Sequence, residues 1–258
     1  TPAVPHLMRT LRADIGVMIT ASHNTYHYNG LKFFNSDGYK ISSKLEKKIE
    51  DIVLNQKKYT KIVKAEVDTG KAIRLDDAPA RYSEFLKSTL NKNLKIKKFK
   101  IVLDCANGAT YEIAPNIFWE LGHEVICINN KPNGININHN CGAVNVDQLS
   151  KKVVDLKADI GFAFDGDGDR IIVVDELGNE IDGDKIIALF AKNLITKKNK
   201  SKFPVITTVM SNLGLEYYLL KNLKIKLKRS LVGDINVINQ MSRFKSNLGG
   251  EQSGHIIL

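Results

Sequence analysis

Nowhere in its 258 residues does this chain stay apolar for the roughly 20 positions that a bilayer crossing needs, and the opening TPAVPHLMRT lacks a basic-then-apolar leader pattern. No membrane partner is expected. Cysteine is scarce: Cys105, Cys127 and Cys141 form no CxxC pair and are odd in number, which argues against a disulfide framework or a zinc site. A cytoplasmic protein is the expectation. Six prolines are too few for extended disorder, and a hydrophobic content of 43% is enough for one large core or two smaller ones. One to three soluble globular domains follow. An initiator Met is also missing, which reads as a hint of a fragment. There is no repeat of fixed period and no low-complexity tract beyond short lysine clusters.

Acidic residues are the minority, and the formal charge of +10 raises the question of a nucleic-acid partner. The lysines, however, are scattered through LEKKIE (45–50), NKNLKIKKFK (91–100) and TKKNKSK (196–202), amid Asn and Ile. They lack the arginine and aromatic interleaving of a nucleic-acid stripe. They read as solvated helix and loop faces that attract small anions, with no nucleic acid bound.

What is present is an alternation of strand-like and helix-like segments. Ser42 to Glu46 offers a capping box, followed by Leu45, Ile49, Ile52 and Val53 at helical spacing, so a helix is predicted from about 43 to 54. Further helices are predicted over 81–90, 111–121, 146–156, 184–195, 213–222 and 235–244. Strands are predicted over 99–104, 124–128, 160–164, 171–174, 204–210 and 224–232, with an Asn-, Pro- and Gly-rich loop from 129 to 145. Strands separated by helices indicate parallel α/β layers, whose ligands collect at the carboxyl ends of the strands.

Between the strands ending at Phe164 and starting at Ile171 stands Asp165-Gly166-Asp167-Gly168-Asp169-Arg170. Convergent carboxylates ~5 Å apart, at an effective dielectric of ~20, would repel by roughly 3 kcal/mol per pair, so such a trio asks for a cation or a proton. Oxygen-only ligands favour Mg²⁺ or Ca²⁺. Asp165, Asp167, Asp169 and Glu176 also match positions 1, 3, 5 and 12 of an EF-hand loop. Position 6 of that loop must be Gly and is Arg170 here, and the flanks are strands. A phosphatase with an aspartate nucleophile does not explain three evenly spaced acids, and a solvated acidic turn leaves Arg170 and two glycines without a purpose. A second motif, Gly249-Gly250-Glu251-Gln252-Ser253-Gly254-His255, closes the chain. In an extended loop, Glu251, Ser253 and His255 alternate onto one side and suit a polyhydroxylated ligand such as a sugar. The third motif is Thr20-Ala21-Ser22-His23-Asn24, after the apolar run Ile15 to Ile19. Ser22 can be a nucleophile, but neighbouring Ser22 and His23 are expected to point apart, and the G-x-S-x-G elbow is absent, so a hydrolase triad is disfavoured.

Taken together the motifs resemble the α-D-phosphohexomutase superfamily. The matching pieces are TPAV (1–4), TASHN (20–24), NGLKFF (29–34), RLDDAPARY (74–82), DCANGATYEIAPNIFWELG (104–122), PNGININHNCGA (132–143), DGDGDR (165–170), GDK (183–185), MSNLGLE (210–216) and GGEQSGHIIL (249–258). The resemblance spans essentially the whole chain. It implies repeated mixed-sheet α/β domains: a partial first domain with the serine loop (1–80), a second with the metal loop (81–180) and a partial third with the sugar loop (181–258). It implies that Ser22 carries a phosphoryl group as phosphoserine and, with Asp165, Asp167 and Asp169, holds Mg²⁺. Lys32 and Arg170 would help neutralise the phosphate and His23 would line the serine pocket. Glu251 and Ser253 would grip sugar hydroxyls, and His255 would bind or orient the substrate. The implied reaction converts glucosamine 6-phosphate to glucosamine 1-phosphate through a bisphosphorylated sugar, as part of amino-sugar and cell-wall precursor synthesis. Glucose or mannose phosphates, or binding of Mg²⁺ and phosphosugar without turnover, remain alternatives. The sequence departs from the family at Thr25 (usually Pro), Tyr28 (usually an acid) and Ile235 (usually Arg). Family members also carry an upstream half of domain 1 and a fourth domain. On that reading these residues are the middle of an enzyme, truncated at both ends and inactive when taken alone.

Overall fold

The computed structural model describes residues 1–63, 70–91, 96–196 and 203–258. Most of the lysine cluster at 196–202 and part of that at 91–100 lie outside the described residues. The chain forms two units, one of residues Thr1–Ile19 and Leu31–Lys92, the other of Thr20–Gly30 and Asn93–Leu258.

In the first unit, Val4, Leu7, Met8 and Leu11 recur at helical spacing and the chain opens as α1 (Ala3–Leu11), an element absent from the sequence expectations. Strands β1 (Ile15–Thr20) and β2 (Gly30–Asn35) form a two-stranded sheet. Met8 is buried under β1, beside Gly16. Helix α2 (Ser43–Leu54) has the predicted bounds because the Ser42 hydroxyl accepts the Leu45 N–H. The reciprocal half of the capping box is not formed, since Leu45 and not Glu46 occupies the third helical position. Helix α3 (Gln56–Val63) follows, and α4 (Ala78–Ser88) starts three residues before the expected Arg81, with Pro79 in its first turn. Helices α1 and α4 meet through the His6 and Phe85 rings, stacked at 4.1 Å.

The second unit holds the serine loop and two sheets. Strand β3 (Lys100–Asp104) is apolar on both faces, as a central parallel strand must be. Val102 packs with Leu149 and Val153, and Leu103 on the other side with Ala114 and Phe118. Around β3 lie α5 (Ile113–Glu120), β4 (Glu124–Ile128), α6 (Asp147–Asp155), β5 (Ile160–Phe164), β6 (Ile171–Asp175) and the short β7 (Glu180–Ile181), in the sheet order β4-β3-β5-β6-β7. β4, β3 and β5 run parallel, but β5 and β6 are antiparallel, with Phe164 opposite Ile171. The parallel layer that strand–helix alternation suggests is thus a mixed sheet, as the family resemblance implied. The six residues between β5 and β6 can turn the chain back but cannot make the crossover of a dozen or more residues that a parallel pair needs.

The chain continues through α7 (Gly183–Thr196), β8 (Val205–Thr208), α8 (Leu213–Tyr218), β9 (Leu227–Ser230), α9 (Asp234–Phe244), β10 (Gly249–Gly250) and β11 (Ile256–Ile257). β8 is the central strand, parallel to both β9 and β10. Its faces pack against α7 and α8 on one side and α9 on the other. The predicted helix over 213–222 changes register after Tyr218 into a π-helical turn, Leu219–Leu223, that keeps Leu219 buried. Among the described residues no helix is long and apolar enough to cross a membrane.

Candidate functional site

The serine loop leaves β1 through a turn that its own side chains close. Thr20 Oγ1 accepts the Ser22 N–H at 2.7 Å, and Asn24 N donates to Ala21 O at 2.9 Å. Ser22 sits in the left-handed region (φ 52°), which costs a non-glycine residue about 1 to 2 kcal/mol. This backbone corrects one expectation. Ser22 and His23 do not point apart: Ser22 Oγ lies 3.3 Å from His23 Nδ1.

The acid loop is organised by its first residue. Asp165 is fully buried, and its Oδ1 accepts the N–H groups of Asp169 and Arg170, both at 3.1 Å. Asp167 is buried too, and Asp165, Asp167 and Asp169 each offer a carboxylate oxygen within 4.8 Å of the others. Burial, then the charges of Asp169 and Asp167, push the Asp165 carboxyl up to about 8. Its Oδ2 accepts no hydrogen bond among the described residues, and the Arg170 Nε is 4.0 Å away. A buried acceptor without a donor, inside a set of three carboxylates, fits a hard cation: Mg²⁺ or Ca²⁺ would supply the missing charge. The flanking elements are strands, so the loop is not an EF-hand.

Serine loop and acid loop touch backbone to backbone. A Cβ on residue 166 would lie 2.7 Å from Ser22 O and 2.5 Å from Asn138 Nδ2, a space that only glycine leaves open. Asn138 Nδ2 donates to Ser22 O at 2.8 Å and to Asn24 O at 2.7 Å. Below them, Gly166 O accepts the Ala109 N–H at 2.8 Å, and Asp104 ties the surrounding loops together. Its Oδ1 accepts Ala106 N (2.9 Å), and its Oδ2 accepts Gly142 N (3.0 Å) and Asn129 Nδ2 (3.1 Å). Sequence reasoning passed over Asp104 and Asn138. The available signal was the density of asparagine: Asn107, Asn129, Asn138 and Asn140 all take the left-handed backbone that Asn tolerates.

The sugar loop differs from its expected form. It is a closed turn between β10 and β11, not an extended strand: Glu251 N donates to His255 O (2.9 Å) and Gly254 N to Glu251 O (3.1 Å). Glu251, Ser253 and His255 therefore do not share a face by alternation. Glu251 is buried with Oε1 accepting Gly233 N at 2.9 Å, whereas His255 Nδ1 lies 3.8 Å from Asp169 Oδ1. Ser253 is half-buried. The turn docks on the far end of the acid loop, where Gly254 O accepts the Ile171 N–H at 3.0 Å. The structure thus brings together Ser22, His23, Asp165, Asp167, Asp169, Arg170 and His255 in the second unit, with Glu251 turned toward Gly233. Of the predicted site residues, Lys32 alone belongs to the first unit, half-buried on β2. Thr25 lies in the serine loop and Tyr28 is exposed, while Ile235 N donates to Asp234 Oδ1 at the start of α9.

Residues 1–60, 80–178 and 182–258 match the family models for alpha/beta/alpha domains I, II and III of phosphoglucomutase/phosphomannomutase. A phosphoglucosamine mutase of Rhizobium rhizogenes is 49% identical and one of Caldicellulosiruptor bescii 50% identical, each over the whole of this chain and 57% of its own length. The chain therefore spans little more than half the length of these relatives. Among solved structures, a phosphoglucomutase/phosphomannomutase family protein of Burkholderia thailandensis superimposes with a TM-score of 0.76 at 27% identity, covering 95% of this chain and 51% of its own. The N-acetylphosphoglucosamine mutase of Aspergillus fumigatus, solved with GlcNAc-6P and magnesium, shares the fold with a TM-score of 0.67 at 19% identity, covering 99% and 64%. With all three domain models matched in order along the chain, this protein belongs to the phosphoglucomutase/phosphomannomutase family.

Proposed function

We propose that this chain supplies the serine, acid and sugar loops of a phosphosugar mutase that interconverts glucosamine 6-phosphate and glucosamine 1-phosphate. The observation that carries the reading is the docking of the Ser22 turn on a loop with three carboxylate oxygens within 4.8 Å of one another. Ser22 carries the phosphoryl group. In the first half-reaction a sugar hydroxyl oxygen bonds to phosphorus as the Ser22 Oγ–P bond breaks, and the hydroxyl's proton ends on Ser22 Oγ. In the second, the bisphosphorylated sugar, turned end for end, returns its other phosphoryl group to Ser22 Oγ, and the serine proton ends on the sugar oxygen left behind. His23 Nδ1, 3.3 Å from Ser22 Oγ, relays the proton in both. Asp165, Asp167 and Asp169 would hold Mg²⁺, which neutralises phosphate charge when bound. Arg170 adds positive charge beside the acid loop, Lys32 is the further cation that the family resemblance assigns to phosphate neutralisation, and Ser253, His255 and Glu251 orient the sugar. The three loops belong to domains spanning 1–80, 81–180 and 181–258. Three free cysteines accord with a cytoplasmic setting.

The test uses Mg²⁺ and glucose 1,6-bisphosphate as phosphate donor, followed by peptide mass spectrometry. Phosphate is expected on Ser22, and in the full-length protein that contains these residues Ser22→Ala should lower glucosamine-phosphate isomerisation to background. Phosphate on Ser36 or Ser42 instead would sink the assignment. Faster conversion of mannose or glucose phosphate than of glucosamine 6-phosphate would redirect the substrate.

A further inference from the structure

We propose that Asn138 is a positioning residue for Ser22: its side-chain amide clamps the serine turn onto the acid loop and holds Ser22 in the conformation from which it transfers phosphate. The proposal rests on the mutase reading for its chemistry and on geometry for the clamp.

Asn138 lies 116 positions from Ser22 in sequence, in a loop with no catalytic group of its own. Both N–H bonds of its amide are spent on the serine turn, one on each carbonyl flanking His23, at 2.8 and 2.7 Å. Two facing carbonyl oxygens settle which way the amide points, because Oδ1 in that place would oppose both. The residue is itself anchored, 4% exposed on a left-handed backbone, with its N–H donated to Ala106 O at 2.9 Å. Oδ1 is buried and accepts nothing among the described residues. An asparagine that orders a distant turn while leaving its own acceptor unmatched is a poor device for stability alone. It is a good one for orienting a neighbour, since local strain and unmet polar groups persist where the surroundings over-determine a functional geometry. Ser22 has the same character, being left-handed and non-glycine. Released from the amide, the turn can relax to an ordinary backbone, and the Ser22 and His23 side chains then diverge.

Asn138→Asp tests the clamp most sharply, because a carboxylate would face two carbonyl oxygens with no proton to give. Asn138→Ala, which removes the donors without adding charge, serves if the first variant does not fold. Two readouts are taken on each. The first is the rate of Ser22 phosphorylation by glucose 1,6-bisphosphate with Mg²⁺. It should fall about 10- to 100-fold at saturating donor, while the half-saturating donor concentration and Mg²⁺ affinity stay within about twofold. A residue with a merely structural role would shift those constants together. The second is amide hydrogen exchange, which should accelerate about tenfold or more over residues 20–30 and stay unchanged over 160–175. A folded variant that keeps wild-type exchange over 20–30, or wild-type phosphorylation, overturns the proposal. If the wild-type protein takes no phosphate on Ser22, the mutase reading falls. The clamp is then decided by exchange alone, where unchanged protection refutes it.

Discussion

Asp167 shows how a single side chain acquires meaning from its surroundings. In an open turn its carboxylate would be ordinary; buried at 1% exposure, with oxygens of Asp165 and Asp169 within 4.8 Å, it is held against the repulsion of two neighbours. Asp167→Asn keeps the shape and removes one charge. Mg²⁺ affinity should drop by roughly tenfold or more, read by titration calorimetry, and an unchanged affinity would show that the cation does not bind there. Ser22 makes a similar point. Neighbouring side chains in an extended strand diverge, and the expectation that Ser22 and His23 would do so failed because the backbone at Ser22 is left-handed. That conformation is not visible in the letters Thr-Ala-Ser-His-Asn, since serine has no preference for it. Glu251 was expected to present its carboxylate to a sugar; its Oε1 is engaged by the Gly233 amide, a partner 18 positions away.

At the scale of elements, the site is made by loops that leave strand ends and are pressed together by backbone contact. Gly254 is the clearest instance. It adopts φ 90°, and a Cβ there would lie 2.2 Å from Ile171 O, the first residue of β6. Gly254→Ala must therefore push the sugar loop off the acid loop. The expected outcome is a loss of about 1 to 3 kcal/mol in urea unfolding, together with weaker retention of glucosamine 6-phosphate. Wild-type values for both would show that the contact is dispensable. Element type was largely legible. β4 and β5 have their predicted bounds because each apolar run is delimited by turn residues within a few positions. α1, α3, β2, β7, β10 and β11 were not anticipated. β2 reads Gly-Leu-Lys-Phe-Phe-Asn, without a clean period, and becomes a strand through pairing with β1.

For the molecule as a whole, the acid loop depends on the rigidity of the sheet beneath it. β3 is an interior strand between β4 and β5, with Leu103 and Val102 fully buried on opposite faces. Leu103→Ala should cost about 2 to 5 kcal/mol, measured by chemical denaturation, because the lost contacts leave a cavity that a closely packed sheet cannot collapse. A loss under about 1 kcal/mol would mean that this face repacks. By itself the sequence determined the α/β class, the apolar strands, the cap at Ser42 and the clustering of three acids, because each depends on residues within a turn or two of one another. Tertiary structure alone decided that Glu251 and His255 face different partners. It also decided that Asn138 reaches across 116 positions to the Ser22 turn. Those outcomes rest on hydrogen bonds between groups that meet only after the chain has folded, and no local propensity encodes which distant carbonyl an amide will find.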